Sequence, residues 1–406
     1  MRPDDQADDQ ATPAAVAPPS TLPRWLVLIG VLVVALNLRP ALTSIAPLLG
    51  DIQSQTGLRA SIAGLLTTAP VLCLGIFGPL APWLARRIGS ERTIGVFLLV
   101  LGTGCILRAT TVPLGLFTGT LMAGAGIGVI GVLLPAILKR EFPDHAAQLT
   151  GVYTLLLCLG AATAAGLTAP IAAHFDSGWR AGLIAWSLPA LLAFMVWSPQ
   201  LRVKAAPTAA AAGHIAIWKD RIAWQVTLFM GLQSSLAYCT FGWFPFILQS
   251  RGVGVLESGV TMSVSIAAQL LTALGGPFIA TAFRDQRPAV VLFMGLTLAG
   301  LLGTVYAPLS TGTLWAIVLG LGQGGTFSVA LSLIVLRAHD APMAGRLSGM
   351  AQSVGYSLAA IGPLLVGSFY DWSGNWHAVA VMFCLITVVG TLAGLGAGRR
   401  RFVGGQ

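Results

Sequence analysis

The sequence predicts an all-α membrane protein with twelve transmembrane helices in two pseudo-symmetric six-helix halves. Three observations carry that prediction. Only 9% of the 406 residues are charged and 55% are apolar, whereas a soluble chain is roughly a quarter charged. The apolar residues gather into twelve runs of about 20 or more, enough to cross a bilayer at ~1.5 Å per residue. Short motifs of the first six runs recur, in order, in the last six.

The runs are 25–49, 60–84, 93–112, 114–138, 148–172 and 179–198, then 222–249, 258–282, 288–307, 312–336, 346–369 and 377–397. Residues 1–22 precede them. They are rich in Asp, Pro, Gln and Ala, and lack the basic start and apolar core of a secretory signal, so a disordered cytoplasmic tail is expected. The runs divide at 199–221, a linker containing "KAAPTAAAAGH" with flexible composition. The halves are then 23–198 and 222–397, with a basic tail at 398–406. "GAGIG" (124–128) is echoed by "GLGQG" (320–324), "LTG" (149–151) by "LSG" (347–349), and "FDSGWR" (175–180) by "YDWSGNWH" (370–377). Ordered echoes at nearly constant offset indicate an internal repeat.

Lysine and arginine set the orientation. With the N-terminus in the cytoplasm, eighteen of the 23 basic residues fall on inner segments and four on outer ends, and Arg39 is the remaining one. Both termini are therefore expected inside. Scattered at span ends, the basic residues form no patch for nucleic acid. Arg108, near the outer end of the third run, is read as snorkelling to the interface.

The five cysteines all lie in apolar runs, read as small buried hydrophobes, and neither cysteines nor histidines show metal-ligand spacing. No cofactor is expected. "GAGIG" lies inside a run with no following Lys-Ser/Thr, so close helix packing explains it better than phosphate binding. No Ser/His/Asp set appears, so an enzyme is not expected. No sizeable signalling domain favours a transporter-like receptor.

The first run holds "ALNLRPALTSIAP" (35–47), which puts Arg39 and Pro40 near mid-membrane. A charge there is costly unless it faces a polar cavity. None of the fourteen carboxylates lies mid-span to neutralise it. Pro40 lacks an N–H and frees the carbonyl of Leu36, so a kink is expected. Asn37, Tyr153, Gln233, Tyr238, Trp243, Gln269, Gln323, Gln352 and Tyr356 supply uncharged polar groups at mid-span. With Arg39 they are the expected substrate-binding set, presenting one cation and many neutral donors.

The plan of six plus six runs, with a basic loop between the second and third, resembles the major facilitator superfamily. That family's loop signature is degenerate here in "PWLARRIGSERT" (82–93). Gly89 and Arg87 fit it, while Pro82 replaces the first Gly and Arg86 the Asp. Arg86, Arg87 and Gly89, with Pro40, are the expected gating and kink residues. "LNLRPALTSIAPLL" (36–49), "GLLTTAPVLCLGIFGPLAP" (64–82), "LLPAILKREFP" (133–143), "LGLGQGG" (319–325) and "LSGMAQSVGYSLAAIGPLLVG" (347–367) resemble the cyanate/2-nitroimidazole porter branch. Relatives often carry Asn where this chain has Gly131. The resemblance implies a monomeric secondary transporter of a bacterial inner membrane, working by alternating access among lipid. It implies a small-molecule substrate, either a cyanate-like anion or a neutral drug such as 2-nitroimidazole, and possible coupling to a proton.

Overall fold

The computed structural model describes residues 23–110, 112–202, 217–282, 285–339 and 341–404. The tail 1–22 and linker residues 203–216, with the expectations placed on them, lie outside the described residues. Among the described residues every regular element is helical.

The first pass is interrupted: α1 (Arg24–Asn37), α2 (Pro40–Thr43), a 3-10 turn (Ala46–Leu48) and α3 (Leu49–Thr56). Then come α4 (Ala60–Ile88), α5 (Ser90–Leu107), α6 (Pro113–Glu141) and α7 (Ala146–His174). The sixth pass is split into α8 (Trp179–Ile184) and α9 (Ser187–Trp197). The second six passes are α10 (Arg221–Ser250), α11 (Val255–Ala282), α12 (Arg287–Tyr306), α13 (Gly312–Leu336), α14 (Ala341–Ala359) with α15 (Ile361–Ser373), and α16 (His377–Ala397). The eleventh pass breaks at Ala360 because Pro363 cannot donate to the carbonyl of Ala359.

Among the described residues eleven passes are long and apolar enough to cross a membrane. The twelfth, α10, has the length, but Gln225, Gln233, Ser234, Ser235 and Thr240 dilute its apolar character. It is nonetheless buried along most of its length and packs against α11, α13, α14, α15 and α16. Polarity inside a bundle marks a helix turned toward other helices or a cavity rather than lipid.

The two glycine triplets pack alike. A Cβ on Gly124 or Gly128 would lie 2.6 or 2.9 Å from the α4 backbone, and one on Gly126 would lie 2.9 Å from the Phe97 carbonyl of α5. A Cβ on Gly320 or Gly324 would meet the α11 backbone at 2.0 or 2.2 Å, and one on Gly322 would lie 2.4 Å from the Thr297 nitrogen of α12. The same alternation between two neighbours, 196 residues apart, explains the echoed sequence.

Side-chain hydrogen bonds join the first six passes to the last six at the end that carries Gly57 and nearer the middle. Asp371 accepts from the backbone N–H groups of Ala60 (3.1 Å) and Ser61 (2.6 Å), at the start of α4. Gln249 donates to the Pro47 carbonyl at 3.0 Å, and Ser263 to the Ala162 carbonyl at 2.7 Å. Close backbone packing accompanies them: a Cβ on Gly367 would lie 2.6 Å from the Ala60 carbonyl. At the other end Glu91 and Arg140 pair at 2.5 Å, and Arg140 also reaches Glu141 at 2.8 Å, all within the first six passes.

Candidate functional site

The expected kink at Pro40 is an interruption of the helical hydrogen-bond ladder, with Leu38 and Arg39 still in right-handed helical dihedrals. α1 stops at Asn37, Arg39 precedes α2, and α2 closes only as far as the bond from the Ser44 N–H to the Pro40 carbonyl (3.0 Å). The neighbouring helix α7 is shaped to this turn. A Cβ on Gly160 would lie 2.1 Å from the Leu36 carbonyl oxygen that Pro40 leaves without a helical donor. Thr43 Oγ1 donates to the Ala161 carbonyl at 3.0 Å.

Arg39 is half-buried, with its guanidinium carbon 5.5 Å from the centre of the Phe241 ring. Among the described residues no hydrogen bond or ion pair takes its guanidinium. It lines a cavity of about 40 Å³ between the two sets of six passes, room for about three waters. Thr154 and Cys158 of α7 complete the contribution of the first six. The last six give Gln233, Ser234, Ala237, Tyr238 and Phe241 from α10, Gln269 and Ala273 from α11, Gln323, Gly324 and Phe327 from α13, and Tyr356 from α14. Tyr238 meets Phe241 and Tyr356 edge-on, with centroids 6.1 and 6.2 Å apart.

Two of the glutamines, Gln269 and Gln323, are linked to each other. Gln269 Nε2 donates to Gln323 Oε1 at 3.1 Å, and Gln323 Nε2 donates to Thr240 Oγ1 at 2.6 Å. Gln233 Nε2 donates to Ser234 Oγ at 2.8 Å. Each amide is held in place, so the polar wall is stiff before anything enters it.

Of the residues expected from sequence, Arg39, Gln233, Tyr238, Gln269, Gln323 and Tyr356 line this cavity. Tyr153 stands within electrostatic reach of Arg39 without forming its wall. Asn37, Trp243 and Gln352 lie elsewhere. Asn37 donates to its own helix at Val33 (2.8 Å), Trp243 donates to the Pro363 carbonyl (2.9 Å), and Gln352 bonds Ser348 (2.7 Å). Trp243 comes five residues after Tyr238, about 140° around the helix at 3.6 residues per turn. Its ring packs instead on the glycine faces of Gly64 and Gly367. Phe241 was missed although it follows Tyr238 at i+3, on the same face. Thr154 and Cys158, an i, i+4 pair, carried the same signal. Arg86 and Arg87 are exposed at the end of α4, Arg87 lying 4.5 Å over the Trp83 ring. Gly89 ends that helix at φ 93°, where an L side chain is strained.

Arg108 corrects the expectation of snorkelling. It has no exposed surface. Its Nη1 donates to the Ala41 carbonyl at 2.7 Å and its Nη2 to Ser44 Oγ at 2.9 Å. Its side chain turns inward to these acceptors on the first pass instead of outward to the interface.

Known proteins resemble this one along nearly the whole chain. The transporter YycB of Bacillus subtilis is 38% identical over 93% of this chain and 94% of its own. The 2-nitroimidazole transporter of Escherichia coli is 38% identical over 93% and 96%. The cyanate transport protein CynX of Escherichia coli is 29% identical over 89% and 94%. The fold matches a D-xylose–proton symporter with a TM-score of 0.73 at 15% identity, over 93% of this chain and 97% of that one. It also matches a bacterial Spinster homologue at 0.74 and 13%, over 92% and 96%. The Major Facilitator Superfamily profile matches residues 27–363, and the chain belongs to that family.

Proposed function

We propose that this secondary transporter moves a small anionic or strongly polar solute, of cyanate-like size and charge, with Arg39 as its central anion site. The observation that supports this is a guanidinium with no acid partner among the described residues, on a broken helix, facing a cavity shared by both sets of passes. A buried arginine keeps its charge, so its N–H groups can seize an anion at any physiological pH. The cavity's volume suits a solute of a few heavy atoms. Alternating access places such a site between the two moving halves.

In this reading the protein sits as a monomer in a bacterial inner membrane with both termini cytoplasmic, as the basic residues favour. The Gly57 end is then the outer one, and the bonds of Asp371 and Gln249 hold it closed to the outside. A proton is the proposed coupling ion. Among the described residues the cavity wall contains no Asp, Glu or His.

A second reading is export of a flat, neutral, electron-poor solute such as 2-nitroimidazole. It draws on the rings of Tyr238, Phe241, Phe327 and Tyr356 in the same wall, and on the 38% identity to the 2-nitroimidazole transporter. Flux of cyanate and of 2-nitroimidazole in proteoliposomes separates the two. Arg39→Gln should abolish cyanate flux while leaving a monodisperse protein. Arg39→Lys should lower it sharply, because lysine lacks the planar fork. Normal cyanate affinity in a folded Arg39→Gln protein overturns the anion site. Saturable 2-nitroimidazole flux that persists in that variant establishes the second reading.

A further inference from the structure

Arg108 lies immediately after α5, with its side chain wholly inside the first six passes. Enclosing a guanidinium costs several kcal/mol after relaxation unless good acceptors meet it. No carboxylate among the described residues forms an ion pair with it. Its acceptors Ala41 O and Ser44 Oγ both belong to the interrupted segment that follows Arg39.

The chemistry of that segment explains the pairing. Ser44 and Ile45 keep right-handed helical dihedrals, but the hydrogen-bond ladder stops at Ser44, and Ile45 does not return its N–H to Ala41. The Ala41 carbonyl is thereby deprived of a backbone donor in a buried place. A buried acceptor left unpaired costs about 1–3 kcal/mol. Arg108 supplies the donor that a continuing helix would have given. Gly119 of α6 makes room for it, since a Cβ there would lie 2.4 Å from the Arg108 nitrogen. On the opposite side α7 holds the segment through Ala161 and the bare face of Gly160.

We propose that Arg108 is a positioning residue: it keeps residues 41–45 from rewinding into a regular helix and so holds Arg39 turned into the cavity. This rests on the reading of Arg39 as the anion site. Without Arg108 the simplest repair is for Ile45 to bond Ala41. That repair rotates α2 and carries Arg39 away from the cavity wall.

Cys158, in that wall and within electrostatic reach of Arg39, gives a readout that needs no substrate. In full-length protein with Cys73, Cys105, Cys239 and Cys384 replaced by alanine, label Cys158 with a negatively and a positively charged methanethiosulfonate. Both reagents travel the same route, so the ratio of their rates reports the charge at the cavity. Arg39 should favour the negative reagent, and Arg39→Gln should reduce the ratio by about tenfold. Arg108→Met, an apolar replacement of similar volume, should reduce the ratio by a comparable factor although Arg39 is present. Ser44→Ala, which removes one acceptor and leaves the fold intact, should reduce it less. Arg108→Met in the Arg39→Gln background should change nothing further. A purely structural Arg108 would lower the melting temperature and leave the ratio alone. A wild-type ratio in both Arg108→Met and Ser44→Ala overturns the positioning role, with the Arg39 reading intact. An unchanged ratio in Arg39→Gln overturns the Arg39 reading itself.

Discussion

Asp371→Ala should loosen the sealed end, and the size of the effect can be worked from the contact. The first N–H groups of a helix have no acceptor within it. At α4 two of them, from Ala60 and Ser61, are taken by a carboxylate on α15. Removing a capping side chain costs about 0.5–2 kcal/mol, part of which is the attraction of an anion for the helix N-terminus. Asp371 is exposed, so the solvent-screened lower half of that range applies, about 1 kcal/mol. That is roughly a fivefold change in the ratio of sealed to open molecules. The bonds from Gln249 and Ser263 remain, so the seal should weaken and not vanish. Nitroxide labels at Arg59→Cys and Asn375→Cys, both exposed positions, would report the distance across this end by pulsed electron resonance. The population of long distances should rise about fivefold in Asp371→Ala. It should rise less in Asp371→Asn, whose amide oxygen still accepts one bond. An unchanged distribution in Asp371→Ala would refute the claim that this cap holds the two sets of passes together.

Gly160→Ala should damage the Arg39 turn, because its Cβ would sit 2.1 Å from the Leu36 oxygen and 3.1 Å from its carbon, both backbone atoms that cannot swing away. Overpacking of this kind costs about 1–3 kcal/mol, so the melting temperature should fall, and cyanate flux with it; an unshifted melting curve would show that α7 is not tightly packed on the turn. Trp243→Phe should remove the bond to the Pro363 carbonyl and cost about 1 kcal/mol, lowering the melting temperature by a few degrees with no change in half-saturation for solute. A raised half-saturation at unchanged stability would return Trp243 to the binding wall.

Much of the architecture was legible because bilayer-crossing helices announce themselves by length and apolarity. The one pass that fails that test, α10, was still found, since its Gln and Ser residues interrupt an otherwise apolar stretch without adding charge. The glycine echoes were legible as a repeat; which neighbour each glycine meets was not, because that depends on the helix–helix crossing. The site was harder. Depth in the membrane follows from position along a span, so Arg39, Gln233, Gln269 and Gln323 could be placed at one level. Direction around the helix depends on where each axis points, and a broken or tilted helix erases it. Trp243 lies outside the cavity wall because it is about 140° around α10 from Tyr238, and Gln352 because it bonds Ser348. Arg108 failed for a different reason. From position alone, a basic residue near a span end belongs at the interface; only the contact with Ala41 and Ser44 shows that its acceptors lie inward.

The contrast among the arginines bears on the anion reading. Arg251 donates to the Thr304 and Ala307 carbonyls at 2.5 and 2.6 Å, at the end of α12. Arg337 donates to the Ala397 and Gly398 carbonyls at 2.7 and 3.2 Å, at the end of α16. Both use the ready site for a cation, the C-terminal carbonyls of a helix. Arg108 finds its acceptors at a helix break. Arg39 lies at the other end of that same break, yet its guanidinium takes no hydrogen bond among the described residues. It rests on the face of Phe241, a contact worth about 0.5–2 kcal/mol, below the several kcal/mol that enclosing a charge costs. A guanidinium required only to brace the fold gains little from an aromatic ring alone. One required to exchange an anion gains from that arrangement, because the ring fixes its direction while its N–H groups stay available.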